Sequence, residues 1–292
     1  MNILITGCYG FIGSNLLLSL SKNKRNNVIG IYTKINKQRN HLIGNYNKLY
    51  ELSMFDYSGL KKLITDHSIK LIIHTSWIGV SGDFKNSLTQ SKNLTVIKNL
   101  VSLYKTCNLK KIIFFGSQAE YKRSKKVLSE GSAIMPVTQY GKSKSESLRY
   151  IIKSKINFLW LRLFDVYGPY DNPNWLIPNI IHSYKNNKLF KLNYPSRYWD
   201  FIFIDDLVKV IKKLIQKKSY GVFNLCSGNK IKLIDLAKII NPNLNNLILC
   251  NSENDFNLIG SNKKLIKEIG PYSFKKINTV LITMIKSNNY KC

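Results

Sequence analysis

Within the stretch QYGKSKSE, Tyr140 stands two residues before Lys142 and four before Lys144. On a helix, residues four apart share a face, whereas residues two apart point about 200° from each other. Lys144 can therefore lie beside the phenol and Lys142 cannot. A phenol titrates near ~10, so one that exchanges protons near neutrality must have its pKa lowered by about three, roughly 4 kcal/mol of differential stabilisation. Read by themselves, these residues also fit a solvated helix face, because Ser and Lys abound in the chain.

A second group of residues narrows the choice. TGCYGFIG places Gly7, Gly10 and Gly13, with Phe11 and Ile12 between the last two, directly after the strand-like NILIT and before an apolar helix pattern. The first glycine suits a tight turn, the second lets backbone N–H groups approach a pyrophosphate, and the third lets helix pack on strand, with the helix N-terminus toward the anion. The chemistry expected is dinucleotide binding.

The elements that must hold these groups are legible as alternation. NILIT, NNVIGIYT, IKLIIHTS, KKIIFFGS and INFLWLRLF are continuous apolar runs, as in strands covered on both faces of a parallel sheet. GSNLLLSLSKN, SGLKKLITDH, KNLTVIKNLVSLYKTC and the segment after Tyr140 read as the helices between them. This predicts a doubly wound α/β arrangement. Beyond residue 165 the chain turns rich in Pro and aromatics, among them Pro169, Tyr170, Pro173, Trp175, Tyr194 and Trp199. The expected division is 1–165 with 200–226 as the dinucleotide-binding domain, and 166–199 with 227–292 as a smaller lobe.

Composition bounds the rest. The 292 residues can bury a full core. The formal charge of +29 comes almost wholly from Lys spread along the chain, beside equally abundant Asn and Ile, which reads as compositional bias rather than a nucleic-acid patch. It still favours phosphate-bearing ligands. Cys8, Cys107, Cys226, Cys250 and Cys292 lie far apart without CxxC, and His74 and His182 have no interpretable partners, so neither a metal site nor disulfides are expected. NILIT begins at residue 2, leaving no room for a signal peptide, and no apolar run approaches the roughly 20 residues of a membrane span. A cytoplasmic protein without membrane partner is the expectation.

With the glycines, Ser117 and the Tyr140/Lys144 pair in chain order, the sequence resembles the extended short-chain dehydrogenase/reductase superfamily of nucleotide-sugar epimerases, dehydratases and reductases. TGCYGFIG, FFGSQAEY, SEGSAIMPVTQYGKSK, LRLFDVYGPY, WDFIFIDDLV and GVFNLCSG carry the resemblance over essentially the whole chain. It implies a Rossmann fold with a C-terminal substrate-binding lobe. It also implies Tyr140 as acid/base on a sugar hydroxyl or carbonyl, Lys144 on the nicotinamide ribose while lowering the tyrosine's pKa, and Ser117 hydrogen-bonded to the reacting oxygen. Related 4,6-dehydratases carry a Thr followed by an Asp-Glu pair where this chain has Ser117, Gln118 and Ala119, so elimination is not expected. GSQAEY with the later WDF resembles reductases of 4-keto-6-deoxy nucleotide sugars. A nucleotide-sugar 4-epimerase with retained NAD is the alternative. A non-catalytic NADP-binding regulator is a reading of another class, which the presence of all three reacting groups disfavours.

Several positions refine or depart from the family pattern. An acid usually ends the second strand of an NAD site; Tyr32, Thr33 and Lys34 stand there, with Lys37 and Arg39 nearby, so Thr33, Lys34 and Arg39 are expected on the 2′-phosphate of NADPH, NAD remaining possible. Ser53 replaces an Asp that contacts adenine in relatives, and Asp56 is read as a helix cap. Thr75, Ser76 and Trp77 replace the usual Ala-Ala. Gln118, Trp77, Asn179 and Arg197 are the expected contacts of a nucleotide-diphosphate sugar, and Asn93 matches a polar position of the family. A homodimer is expected through the KNLTVIKNLVSLYKTC helix and the Tyr140 helix, with Leu94, Ile97, Val101 and Tyr104 at helical spacing.

Overall fold

A computed structural model describes residues 1–80, 82–250 and 256–286, and of Gln38 the backbone alone. Cys292 lies outside the described residues. The chain forms two compact units, one of residues 1–122, 133–162 and 214–223 and one of 123–132, 163–213 and 224–292.

The first unit holds strands β1 (Asn2–Thr6), β2 (Asn27–Tyr32), β3 (Leu49–Glu51), β4 (Leu71–His74), β5 (Lys111–Ser117) and β6 (Phe158–Leu163). Its helices are α1 (Phe11–Ser21), α2 (Lys37–Ile43), α3 (Tyr57–Asp66), α4 (Ser91–Thr106) and α5 (Gln139–Lys153). With the strand Gly221–Leu225 at one edge, the sheet runs Gly221–Leu225, β6, β5, β4, β1, β2, β3. β1 pairs in parallel with both β2 and β4, so Thr6 faces Ile31 on one side and His74 on the other. Strand order therefore reverses beside β1, which opens a crevice at the carboxyl ends of β1 and β4. The glycine turn follows β1 at that point.

The apolar runs are buried because helices cover them. Leu4, Ile72, Ile112, Phe114 and Trp160 join Leu60 and Ile64 of α3, Ile97, Leu100 and Val101 of α4, and Ile151 of α5 in one core cluster. Of the four residues expected on a pairing face, Leu94 and Tyr104 are half-buried and Ile97 and Val101 are buried. Ile97 and Val101 are 0% and 2% exposed within the chain itself, and α4 turns Lys92, Thr95, Lys98 and Lys105 outward. Packing on the sheet claims Ile97 and Val101 of that stripe.

Asp56 caps α3 as expected, its Oδ1 accepting from Gly59 N at 2.8 Å. β3 and α2 were not legible. β3 has three residues at a sheet edge with only one face partly covered, and α2 is a short helix capped by Asn36, whose side chain accepts from Arg39 N.

In the second unit, Tyr198–Phe203 lies between Asp165–Tyr167 and Lys230–Lys232, and Phe190–Asn193 pairs with Leu247–Cys250. Residues 200–213, expected in the dinucleotide-binding domain, belong to this unit because that strand takes both its neighbours here. Asp200, fully buried, accepts from Ser227 N (2.9 Å), Ser227 Oγ (2.7 Å) and Gly228 N (2.8 Å). Burial pushes its carboxyl from 3.8 up to about 6 against the pull of those donors. A carboxyl raised in the folded state is protonated more readily there than in the unfolded chain. Its stabilising contribution is complete below pH ~4 and is lost as pH rises through ~6, an effect of about 3 kcal/mol. Urea unfolding across this window should show a downward slope in wild type that is missing in Asp200→Asn. Parallel slopes in the two proteins would refute the assignment.

Candidate active site

The turn after β1 is built from glycine for a reason visible in its backbone. Gly7 has φ +66°, and a Cβ there would lie 2.8 Å from Ser76 Oγ in the loop after β4. Gly10 caps α1 with no side-chain bond to the helix, and Gly13 is buried in the first turn. The first N–H groups of α1 thus face the crevice without a side-chain partner of the chain, as a bound pyrophosphate requires. These features fit a dinucleotide.

Beside this crevice, β5 ends at Ser117, and the 3-10 turn Gln118–Glu120 leads on from it. Ser117 Oγ accepts from Ala119 N at 3.1 Å, and the Ser117 hydroxyl acts to lower the Tyr140 pKa. α5 starts at Thr138, whose side chain accepts from Gly141 N at 3.1 Å. Gly141 lets the helix press on that turn, since a Cβ there would run into the Ala119 carbonyl oxygen. Lys144 is 3% exposed on the same face as Tyr140, and Lys142 is exposed on another. The helical spacing separates the two lysines as expected.

The electrostatics of the chain by itself favour a protonated phenol. Tyr140 is half-buried as a residue, but its hydroxyl is enclosed by protein, and burial pushes its pKa up to about 12. The Ser117 hydroxyl pulls it down and the nearby Glu120 charge pushes it up further. Lys144 Nζ donates to Phe115 O at 2.6 Å and lies 3.2 Å from the centre of the Trp77 ring. Burial holds Lys144 well below the usual lysine range, with Glu120 opposing that shift.

Glu120 was not singled out by sequence reasoning, yet it anchors the site. Fully buried, it accepts from Ser117 N (2.9 Å) and Trp160 Nε1 (3.0 Å) through Oε1 and from Arg162 Nε (2.8 Å) through Oε2. The available signal was the reciprocal cap of a Ser followed three residues later by Glu, S-x-x-E, at the end of a strand.

The remaining expected residues fall in different places. Thr33 and Lys34 are exposed after β2, open to a ligand. Arg39 is 6% exposed instead, its Nη1 donating to Tyr9 O at 3.2 Å, so it braces the glycine turn. Gln118 and Trp77 are half-buried in the first unit, whereas Asn179 and Arg197 belong to the second. Arg197 is 4% exposed, with its guanidinium over the rings of Tyr194 (3.3 Å) and Phe256 (3.9 Å). His74 is a neutral core residue, held down to about 3 by burial and by the Lys144 charge, its Nδ1 2.8 Å from Thr6 Oγ. Among the described residues no cluster of His, Cys, Asp or Glu could hold a metal ion, and no helix is long and apolar enough to cross a membrane.

A doubly wound sheet with a glycine turn at its switch point, and a Ser, Tyr and Lys group beside that turn, defines a nucleotide-binding α/β protein. Residues 3–226 match the model of the NAD dependent epimerase/dehydratase family, and the chain belongs to that family. The family is enzymatic and acts on nucleotide sugars with NAD. Similar proteins span three reactions. A dTDP-4-dehydro-6-deoxyglucose reductase of Escherichia coli is 26% identical over 83% of this chain and 82% of its own. The solved UDP-N-acetylglucosamine 4-epimerase of Methanobrevibacter ruminantium M1, in complex with UDP-N-acetylmuramic acid, superposes with a TM-score of 0.86 at 22% identity, covering 98% of this chain and 97% of that one. The solved dTDP-glucose 4,6-dehydratase of Bacillus anthracis, in complex with NAD, superposes with a TM-score of 0.85 at 20% identity, covering 98% and 96%. At these identities the two solved structures speak for the fold alone.

Proposed function

We propose that this protein reduces the 4-keto group of a 4-keto-6-deoxy nucleotide sugar, with NADPH as the hydride source. The observation that carries the reading is the Ser117–Tyr140 hydroxyl pair with its proton held in place: burial keeps the phenol protonated, the state needed to give a proton to a carbonyl oxygen. Glu120 supports the same direction. Its oxygens are taken by Arg162, Trp160 and the Ser117 amide, so it is not free to remove a proton from a sugar carbon, as elimination demands.

When bound, the reduced cofactor supplies a hydride to the carbonyl carbon. Tyr140 transfers its hydroxyl proton to the carbonyl oxygen, and Ser117 hydrogen-bonds that oxygen as charge develops on it. Ketone, hydride and proton balance as an alcohol. Lys144 serves the ribose and the emerging phenolate. Incubation with NADPH and a panel of 4-keto-6-deoxy nucleotide sugars should consume NADPH and yield the matching 4-hydroxy sugar. No consumption with any member would overturn the reading.

A 4-epimerase with retained NAD is the second reading, favoured by one observation: Arg39, the buried cation expected on a 2′-phosphate, is bonded to the Tyr9 carbonyl instead. The readings separate on cofactor affinity. Reduction with NADPH predicts that it binds at least tenfold tighter than NADH, about 1.4 kcal/mol, through Lys34 and Thr33 after β2. Equal dissociation constants by titration calorimetry, or NAD released from the purified protein on denaturation, would favour the epimerase.

A further inference from the structure

Lys144 carries an ammonium with three N–H donors into a buried place, where Nζ donates to Phe115 O at 2.6 Å. A second close contact is aromatic: the Trp77 ring centre lies 3.2 Å from Nζ. Further groups around it come from three elements. Tyr140, on the same helix, has its ring centre 5.5 Å away. Glu120, from the turn after β5, favours the charge, but both its oxygens are engaged by Arg162, Trp160 and the Ser117 amide. His74, from β4, is neutral. Burying a lysine disfavours its charged form, and the face of an indole is the strongest aromatic surface for a cation, most of all where water is excluded.

Trp77 is held in that position by a network of its own. Its Nε1 donates to Gln90 Oε1 at 3.0 Å, and Gln90 Nε2 donates to Gly79 O (2.6 Å) and Phe84 O (2.9 Å). Asn93 grips the next residue from both sides, accepting from Ile78 N at 2.9 Å and donating to Ile78 O at 3.1 Å. Ser143, adjacent to Lys144 in α5, donates to Gln90 O at 2.9 Å. Gln90 therefore fixes the indole and the helix that carries the lysine to one point. The Trp77 ring also meets the Tyr140 ring edge-on, with centres 6.2 Å apart.

We propose that Trp77 is a positioning residue for Lys144: the indole face, braced by Gln90 and Asn93, keeps the buried ammonium charged and fixed beside Tyr140. The inference deepens the reading above, which needs a charged Lys144, but the property it concerns belongs to the chain by itself. Truncating Trp77 would admit water and move the lysine's titration for a second reason, so the decisive variants keep the shape of the ring. Fluorine withdraws charge from the indole face without changing its packing. The protein is prepared with 13Cε-lysine and with tryptophan, 5-fluorotryptophan or 5,7-difluorotryptophan. The Lys144 resonance is the one absent from Lys144→Met, and its titration midpoint is read by NMR.

The midpoint should fall stepwise, by about 0.5 pH unit with one fluorine and about one pH unit with two. In Trp77→Phe, where only the other tryptophans carry fluorine, the step should vanish. A midpoint unmoved by both fluorinated tryptophans, or an equal step in Trp77→Phe, overturns the proposal. Failure of the sugar panel in wild type would instead sink the reductase reading and leave this midpoint result standing.

Discussion

Tyr140→Phe should lower turnover of the sugar by roughly 10² to 10⁴ while cofactor affinity stays within a few-fold. The change removes the hydroxyl to which proton donation is assigned and keeps the ring that meets Trp77 edge-on. Lys144→Met should reduce both turnover and cofactor affinity, since the same ammonium is assigned to the ribose and to the phenolate. Lys142→Met should change either by little, because that side chain is exposed and such substitutions usually stay within about ±0.5 kcal/mol. Steady-state kinetics with cofactor titration reads all three. A Lys142 variant as impaired as the Lys144 variant, or a fully active Tyr140→Phe protein, would show that the reacting face of α5 lies elsewhere.

Arg162→Met should destabilise the protein by about 3–5 kcal/mol, because it leaves the Glu120 carboxylate buried without its cation. The two side chains are 5% and 0% exposed, so solvent cannot take the cation's place. Ser117 should feel the change as well, since its amide donates to the same carboxylate, and turnover should fall along with stability. A paired replacement, Glu120→Leu with Arg162→Met, should be less destabilising than the sum of its parts, as expected when two groups act on one another. Urea unfolding of the four proteins closes this cycle. Additive single effects, or an Arg162→Met protein within about 1 kcal/mol of wild type, would remove the ion pair from its assigned place under the site.

What the sequence determined was local. The glycines after β1, the continuous apolar strands, the Asp56 cap and the separation of Lys144 from Lys142 follow from turn geometry, burial pattern, capping chemistry and helical spacing, all carried by residues near one another in the chain. The tertiary structure decided what depends on neighbours far along the chain. Arg39 also braces the turn after β1, because the fold brings the Tyr9 carbonyl to its Nη1. Ile97 and Val101 had the spacing of a pairing face, but the sheet beneath α4 covers them. Glu120 found Arg162 across 42 residues of sequence, and Trp77 found Lys144 from the loop after a different strand. Burial of the Tyr140 hydroxyl, which favours its proton, likewise comes from distant neighbours. Dihedral preference and periodicity are properties of short stretches, whereas desolvation, ion pairing and ring contact depend on which distant atoms the fold brings together.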